Sequence, residues 1–427
     1  MLVKKIKDSL LANVSQQISS IFLFLLIPRI LTVDDYAIVV FVAVLLSFSN
    51  LGDLGFTFVY STKMPVIYQR NDKNEIQEWN STAFWFGIIG SLIVGCLLSI
   101  TFYIKFSHPL YASFIFLLLP VMFITSFHIM QFTSLENFSS YRNLIFSQSV
   151  IKLLTILFSY MMGLLGWFVN QFFMYSLTIK KLINEGLPPI KKFNHHLIKS
   201  HFLNGVLLIS VFFLWNQLLG SGRLLAAFNY EKSIIADYGL MSTGYQILSS
   251  LLIATFIPFS VSTLKMIEVD DKIAIERIFK AIYIAIPCVL VLVMLAETLA
   301  PFLFKLLFKK YQYDSVVFKS FLYSLFLSPI VVTLGNVYIG KKKLPLYIGI
   351  LGISFLSAIL SFYYLLPTYQ TRAAALAQLL GTTICAVLML GVACYIFRKT
   401  IQNISYKIAT LFLMSLVIIM IEYWIIN

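Results

Sequence analysis

One feature constrains this chain more than any other: apolar stretches of about 20 residues follow one another with only short polar loops between them. Thirteen can be marked, at 10–30, 36–60, 81–104, 110–132, 144–162, 164–182, 203–225, 237–263, 281–304, 314–340, 346–366, 373–397 and 408–426. About 20 apolar residues is the length of helix that crosses a hydrocarbon core of ~30 Å. Inside lipid, only helices and closed barrels keep every backbone group bonded. Composition agrees: 59% of the residues are hydrophobic and 12% charged, with a mean hydropathy of +0.89, against about 25% charged in soluble domains. The expected fold is an all-α polytopic membrane protein. Its closest spans, 144–162 and 164–182, are separated by Gly163 alone.

The loops test this division. With the N-terminus on the cytoplasmic side, loops on that side hold 22 of the 32 Lys and Arg residues and the opposite loops hold six. The remaining four, Arg29, Lys152, Arg223 and Lys319, lie in spans or at their margins. Such an imbalance is the positive-inside pattern, with every helix crossing once. The net charge of +14 is therefore read first as a topology signal. It does not point to nucleic acid, since no long basic arm or zinc spacing accompanies it. The opening Met1-Leu-Val-Lys-Lys-Ile-Lys7 and its apolar run have the layout of a signal peptide. No small-residue cleavage site follows, so they are read as the first span. The longest loop, 183–202, carries Pro188-Pro189 and a basic cluster. It separates an N-terminal group of six spans (1–182) from a C-terminal six (203–397), with 398–427 as an additional helix.

No metal or cofactor is expected. Cys96, Cys288, Cys385 and Cys394 all sit in apolar runs without paired spacing, and the five histidines form no metal motif.

A charge at mid-membrane costs roughly 2.5–3.5 kcal/mol on insertion scales, so polar span residues gather toward protein or water. In the fifth span Gln148, Lys152, Thr155 and Ser159 share one helical face. Lys152 then faces a wet cavity, pairs with a carboxylate, or snorkels to the interface. The first span sets Asn13, Gln17 and Ser20 on one face. Arg29 follows Pro28 off that face and is either a cavity cation realigned by a kink or an anchor at the headgroups. The seventh span sets Asn216 and Arg223 seven residues apart, on one helical face. A guanidinium grips phosphate oxygens in a bidentate fork, which suits a pyrophosphate. The eighth span adds Ser242, Gln246 and Ser249, a surface compatible with sugar. The second span sets Asn50, Asp53 and Thr57 on one face, and Asp53, Glu297 and Lys319 are candidate counter-ions or coupling groups. His128 is read as a hydrogen-bonding core residue before a proton carrier. Gly52 and Gly55 around Asp53 loosen the second span or admit a close neighbour. A faint repeat joins Arg29 and Asp35-Tyr36 to Arg223 and Asp237-Tyr238, each Asp being a candidate helix cap.

The run Leu26-Ile-Pro-Arg-Ile-Leu-Thr-Val-Asp-Asp-Tyr-Ala37, followed by Asn50-Leu-Gly-Asp-Leu-Gly-Phe56, resembles the start of Wzx-type O-antigen and polysaccharide flippases. These belong to the multidrug/oligosaccharidyl-lipid/polysaccharide (MOP) exporter superfamily. Arg223-Leu-Leu, Asp237-Tyr-Gly239 and the Leu366-Pro367 turn before Ala373 are similar to that family's second half. Ala37 stands where the family has Gly, and thirteen spans exceed its usual twelve. The resemblance implies two six-helix lobes around a central cavity and no enzymatic step. It implies alternating-access transport of an undecaprenyl-pyrophosphate-linked repeat unit (O-antigen or capsule type) across the bacterial inner membrane. Arg29, Lys152 and Arg223 would be its cationic ligands. Membrane lipids, a polysaccharide polymerase and a chain-length regulator would be its partners. Two other readings stay open. One is a membrane-embedded polymerase, which would be expected to show a sizeable outer loop. The other is a multidrug antiporter, which would prefer acidic spans.

Overall fold

The computed structural model describes residues 2–397 apart from 270 and 342. The thirteenth span (408–426) lies outside the described residues. Thirteen α-helices follow in order: α1 (Leu2–Ile30), α2 (Val33–Leu46), α3 (Phe56–Arg70), α4 (Lys73–Phe106), α5 (Pro109–Ser134), α6 (Phe138–Glu185), α7 (His195–Leu219), α8 (Ser221–Asn229), α9 (Lys232–Val269), α10 (Asp271–Leu307), α11 (Ser315–Gly340), α12 (Leu344–Tyr369) and α13 (Ala373–Phe397). Among the described residues there is no strand.

The corners between helices are closed by short polar side chains. Thr32 accepts a hydrogen bond from the Asp35 amide, Asp72 from those of Asn74 and Glu75, and Asp314 from Val316 and Val317. Each satisfies amides that a helix start leaves without an intrahelical partner. The cap of α2 is therefore Thr32, while Asp35 lies in the first turn. Asp237 is no cap either: it sits inside α9, and its carboxylate accepts from the Gln312 amide at 3.0 Å.

Nine helical segments among the described residues are long and apolar enough to cross a membrane. Two of them are hairpins. In α6, Gly163 has φ 59° and ψ −136°, a conformation open chiefly to glycine. Beyond it the chain doubles back, and the Asn170 side chain donates to Thr155 Oγ1 at 2.6 Å. In a straight helix those residues would be about 22 Å apart. The segment Leu344–Ile396 likewise folds back at Gln370 (φ 45°), which brings Gly381 of α13 against Ala358 of α12. With α9, itself 38 residues long, these account for the twelve spans expected up to residue 397. Lipid-sized stripes remain uncovered: Ile93, Leu97, Ile100 and Ile104 line one face of α4 and are 51–76% exposed. A soluble protein does not leave contiguous apolar faces of this extent to water.

Two expected spans are not single helices. The second breaks between Leu46 and Phe56, and the seventh breaks at Gly220, which separates α7 from α8. The cause of the first break is backbone packing. Gly55 is left-handed (φ 78°), and a Cβ on it would lie 2.1 Å from the Gly205 carbonyl oxygen of α7. A Cβ on Gly90, midway along α4, would lie 1.6 Å from the Gly52 oxygen. The segment Leu51-Gly-Asp-Leu-Gly55 is thus wedged between two helices with main chain against main chain. Unwound backbone is tolerated at membrane depth only where protein satisfies it. Here short-range turns do so, together with Asp53.

The chain divides into two compact units, Met1–Phe213 and Leu214 onward. In the first, α1 packs on α6, α4 on α5, and α5 on α6. In the second, α11 is the buried centre, in contact with α9, α10, α12 and α13.

Candidate functional site

In the first unit a polar seam runs between α1 and the first arm of α6. At one end Arg142 donates to Asp8 at 2.6 Å. Next, the Ser15 and Ser149 hydroxyls lie 3.4 Å apart. Then the Lys152 ammonium donates to Ser20 Oγ at 2.9 Å. The partners are separated in sequence by 134, 134 and 132 residues. That near-constant offset means two parallel helices in fixed register. Lys152 stands ten residues along from Arg142, about 15 Å at 1.5 Å per residue, or half of a ~30 Å core.

Of the residues marked on α1, Ser20 is in the seam; Asn13 and Gln17 lie on the far side of the helix from Ser15, Asn13 exposed and Gln17 partly buried. Gln148 lies one turn before Lys152, is 8% exposed, and its Nε2 has no hydrogen-bond partner among the described residues. Thr155 turns instead toward the second arm of α6, where it receives Asn170. The fifth-span stripe is thus shared between two neighbours. Among the described residues no carboxylate lies within ion-pair distance of Lys152.

Arg29 does not join this seam. It is exposed, lies nine residues beyond Ser20, and Pro28 is accommodated inside α1. Nine residues is 180° on an ideal wheel, so Arg29 shares its face with exposed Ile18 and Phe22.

Asp53 is 6% exposed, and its carboxylate accepts from the amides of Gly55 (3.1 Å) and Thr57 (2.9 Å). The structure gives it the capping of α3 at the broken helix. Helical spacing within a continuous span did not apply to it, because the helix is interrupted there.

In the second unit Arg223 donates from Nη1 to Gln246 Oε1 at 3.1 Å, bringing two marked residues together. Asn216 is not with them: it is exposed on α7, and the break at Gly220 removes the expected shared face. Arg223 opens α8 instead. There the wholly buried Gln378 of α13 accepts from the Gly222 amide at 2.9 Å. Gln378 was not marked from sequence, because a lone amide in an apolar run carries no pattern. Ser242 and Ser249 of the eighth-span stripe are buried in the unit.

Glu297 of α10 and Lys319 of α11 form an ion pair with each other, each about a quarter exposed. Removing one partner leaves a charge in an apolar setting, so Glu297→Gln or Lys319→Met alone is expected to cost about 2–4 kcal/mol. The double variant should recover most of the folded yield, measured by size-exclusion chromatography after heating. Equal losses in the double and single variants would remove the pair as the cause.

No family model matches this chain, and no curated protein matches it. Solved structures do. The lipid II flippase MurJ in an inward closed conformation aligns over 98% of this chain and 92% of its own, with a TM-score of 0.67 and 17% identity. An inward-facing multidrug resistance MATE family transporter of the MOP superfamily aligns over 91% and 94%, with a TM-score of 0.60 and 13% identity. The eukaryotic MATE transporter AtDTX14 aligns over 96% and 99%, with a TM-score of 0.55 and 14% identity. At these identities the likeness speaks for architecture: this chain has the fold of MurJ and of the MATE transporters.

Proposed function

We propose that this protein is a flippase that moves an undecaprenyl-pyrophosphate-linked oligosaccharide repeat unit across the bacterial inner membrane. The observation that carries the reading is Lys152: an ammonium at mid-depth, bonded to a hydroxyl, with no carboxylate beside it among the described residues. A structural lysine would be expected to have a counter-ion. A lysine that meets an anionic lipid head during transport needs that position left open. Arg223 with Gln246, and Arg29 at the far end of α1, would meet the pyrophosphate at other stages. Asn13, Gln17, Gln148 and Asn216 would meet sugar hydroxyls.

The physics of the cargo supports this assignment. A pyrophosphate cannot cross hydrocarbon unaided, and a cationic path substitutes for its hydration. Exposing such a path alternately on the two sides is a known transporter plan. A potential negative inside favours outward movement of the anion by ~2.3 kcal/mol per charge per 100 mV. The N-terminus is assigned to the cytoplasm from the charge imbalance of the loops. The two groups of six helices, 1–182 and 203–397, would be the moving bodies, and a polysaccharide polymerase and a chain-length regulator would take over outside. Flipping breaks no covalent bond, so no catalytic constellation is required.

Deleting the gene should leave the lipid-linked unit accumulating at the cytoplasmic face while long surface chains disappear. Single units still displayed outside would instead mark a polymerase. The MATE likeness supports a second reading, export of a cationic drug. Unchanged surface polysaccharide together with drug sensitivity in the deletion strain would establish that one.

A further inference from the structure

The end of the first unit that bears the basic loops holds a second polar site, away from the seam. A cavity of about 220 Å³ is lined by Gln77 and Asn80 of α4, Phe127, His128 and Gln131 of α5, Leu182 of α6, and the linker residues Gly186 to Pro189. Its polar groups are already organised. The buried Tyr60 hydroxyl donates to Asn80 Oδ1 at 2.6 Å, which leaves the Asn80 NH₂ for another acceptor. His128 Nδ1 lies 3.1 Å from Gln131 Oε1. The roof is held as firmly. Trp85 Nε1 donates to the Pro188 carbonyl at 2.9 Å, Ser81 Oγ to that of Pro189 at 2.6 Å, and the Asn194 amide to Thr82 Oγ1 at 2.9 Å. The Asn194 side chain donates to Glu78, and Lys192 to Asn74 at 3.2 Å. One face of α4 therefore clamps the linker over the cavity, and the pocket is preformed.

The geometry points to a binding site for one neutral sugar ring. Among the described residues the lining carries no Asp, Glu, Lys or Arg, so the groups described there suit a neutral ligand better than an ion. Gln77, Asn80 and Gln131 offer amide donors and acceptors, and Leu187 and Pro188 offer apolar surface above the buried Phe127 and His128, chemistry that matches hydroxyls around a ring with apolar faces. Its volume is that of about seven waters and below the ~300 Å³ typical of drug-sized ligands. One ring fits; a repeat unit does not. The ring arrives either as a free sugar from the cytoplasm or as the sugar of a lipid-linked head lying at the membrane edge. Because the roof belongs to the linker that joins the two groups of helices, an occupant would touch that linker directly. The inference does not rest on the flippase reading, since Lys152 takes no part in it.

The test is equilibrium binding to the full-length protein in detergent micelles. Glucose, galactose and N-acetylglucosamine form one arm, and a short-chain polyprenyl-diphosphate-linked monosaccharide the other. Saturable binding is expected in at least one arm, weakened about tenfold or more by Asn80→Ala or Gln131→Ala, the loss of roughly one hydrogen bond. Gln77→Trp, at an exposed rim position that leaves the buried network intact, should block entry while the protein elutes as a single species. Binding of the free monosaccharides identifies the cytoplasmic source, and binding of the lipid-linked arm alone identifies the membrane source. Binding in the lipid-linked arm that Gln77→Trp leaves unaltered belongs to the seam and not to this pocket, and counts against the site. No saturation in either arm, or binding unaltered in Gln77→Trp and Gln131→Ala, would overturn the site.

Discussion

Gly90→Val should sharply reduce the yield and thermal stability of the folded protein. The added Cβ would lie 1.6 Å from the Gly52 carbonyl oxygen, a main-chain atom with no rotamer to retreat into. Gly55→Ala should be nearly as severe, since it meets the Gly205 oxygen at 2.1 Å and sits at φ 78°. Overpacking alone costs about 1–3 kcal/mol, and a left-handed non-glycine residue adds about 1–2. Moving the backbone aside would also break the hydrogen bonds that Asp53 makes to Gly55 and Thr57. Against a net stability of about 5–15 kcal/mol, losses of several kcal/mol lower the melting temperature markedly and reduce the monodisperse fraction on size-exclusion chromatography. Gly349→Ala and Gly391→Ala are the controls: a Cβ at either position meets nothing within 4 Å. They should elute and melt like the wild type. Wild-type behaviour of Gly90→Val would mean that α2, α3 and α4 do not meet as described.

Lys152→Met should separate transport from stability. Losing a charge-assisted contact to a phosphate, worth about 1.5–3 kcal/mol, should slow transport about 10- to 100-fold. The protein itself should be as stable or more so, because an ammonium without a counter-charge no longer has to be held in the membrane. Lys152→Arg should retain part of the activity. Ser20→Asp places a carboxylate beside Lys152, now 2.9 Å from the Ser20 hydroxyl. It should stabilise the fold and stop transport, since the cation is then neutralised from within. Flipping of a fluorescent lipid-linked oligosaccharide in vesicles measures the rate, and thermal unfolding measures the stability. Full transport by both Lys152→Met and Ser20→Asp would remove Lys152 as an anion ligand. Loss of folded protein in Lys152→Met would make it structural.

What each half of the polar inventory can do depends on pairs that sit far apart in the chain. Lys152 and its neighbours on one helical face were legible, because periodicity within a span is local information. That Ser20 receives Lys152 required the register between α1 and α6, and that Pro28 does not swing Arg29 back onto the polar face required α1 itself to be seen continuous. Asp53 shows the opposite failure. Its spacing to Asn50 and Thr57 suggested one face of one helix, yet the glycines beside it are pressed against Gly90 and Gly205 and interrupt the helix. The same holds for Asn216 and Arg223, which the turn at Gly220 assigns to different helices.

From the amino-acid order alone came the class of molecule: an all-α membrane protein, its spans up to residue 397, the hairpin at Gly163 and the cationic, polar character of selected faces. Hydrophobicity and helical period act over tens of residues and need no partner to be recognised. Which polar group meets which, where a span unwinds, and where a cavity closes were decided by tertiary packing. Those outcomes depend on surfaces from different helices, some more than 100 residues apart in the chain, fitting against one another, and no local pattern encodes that fit.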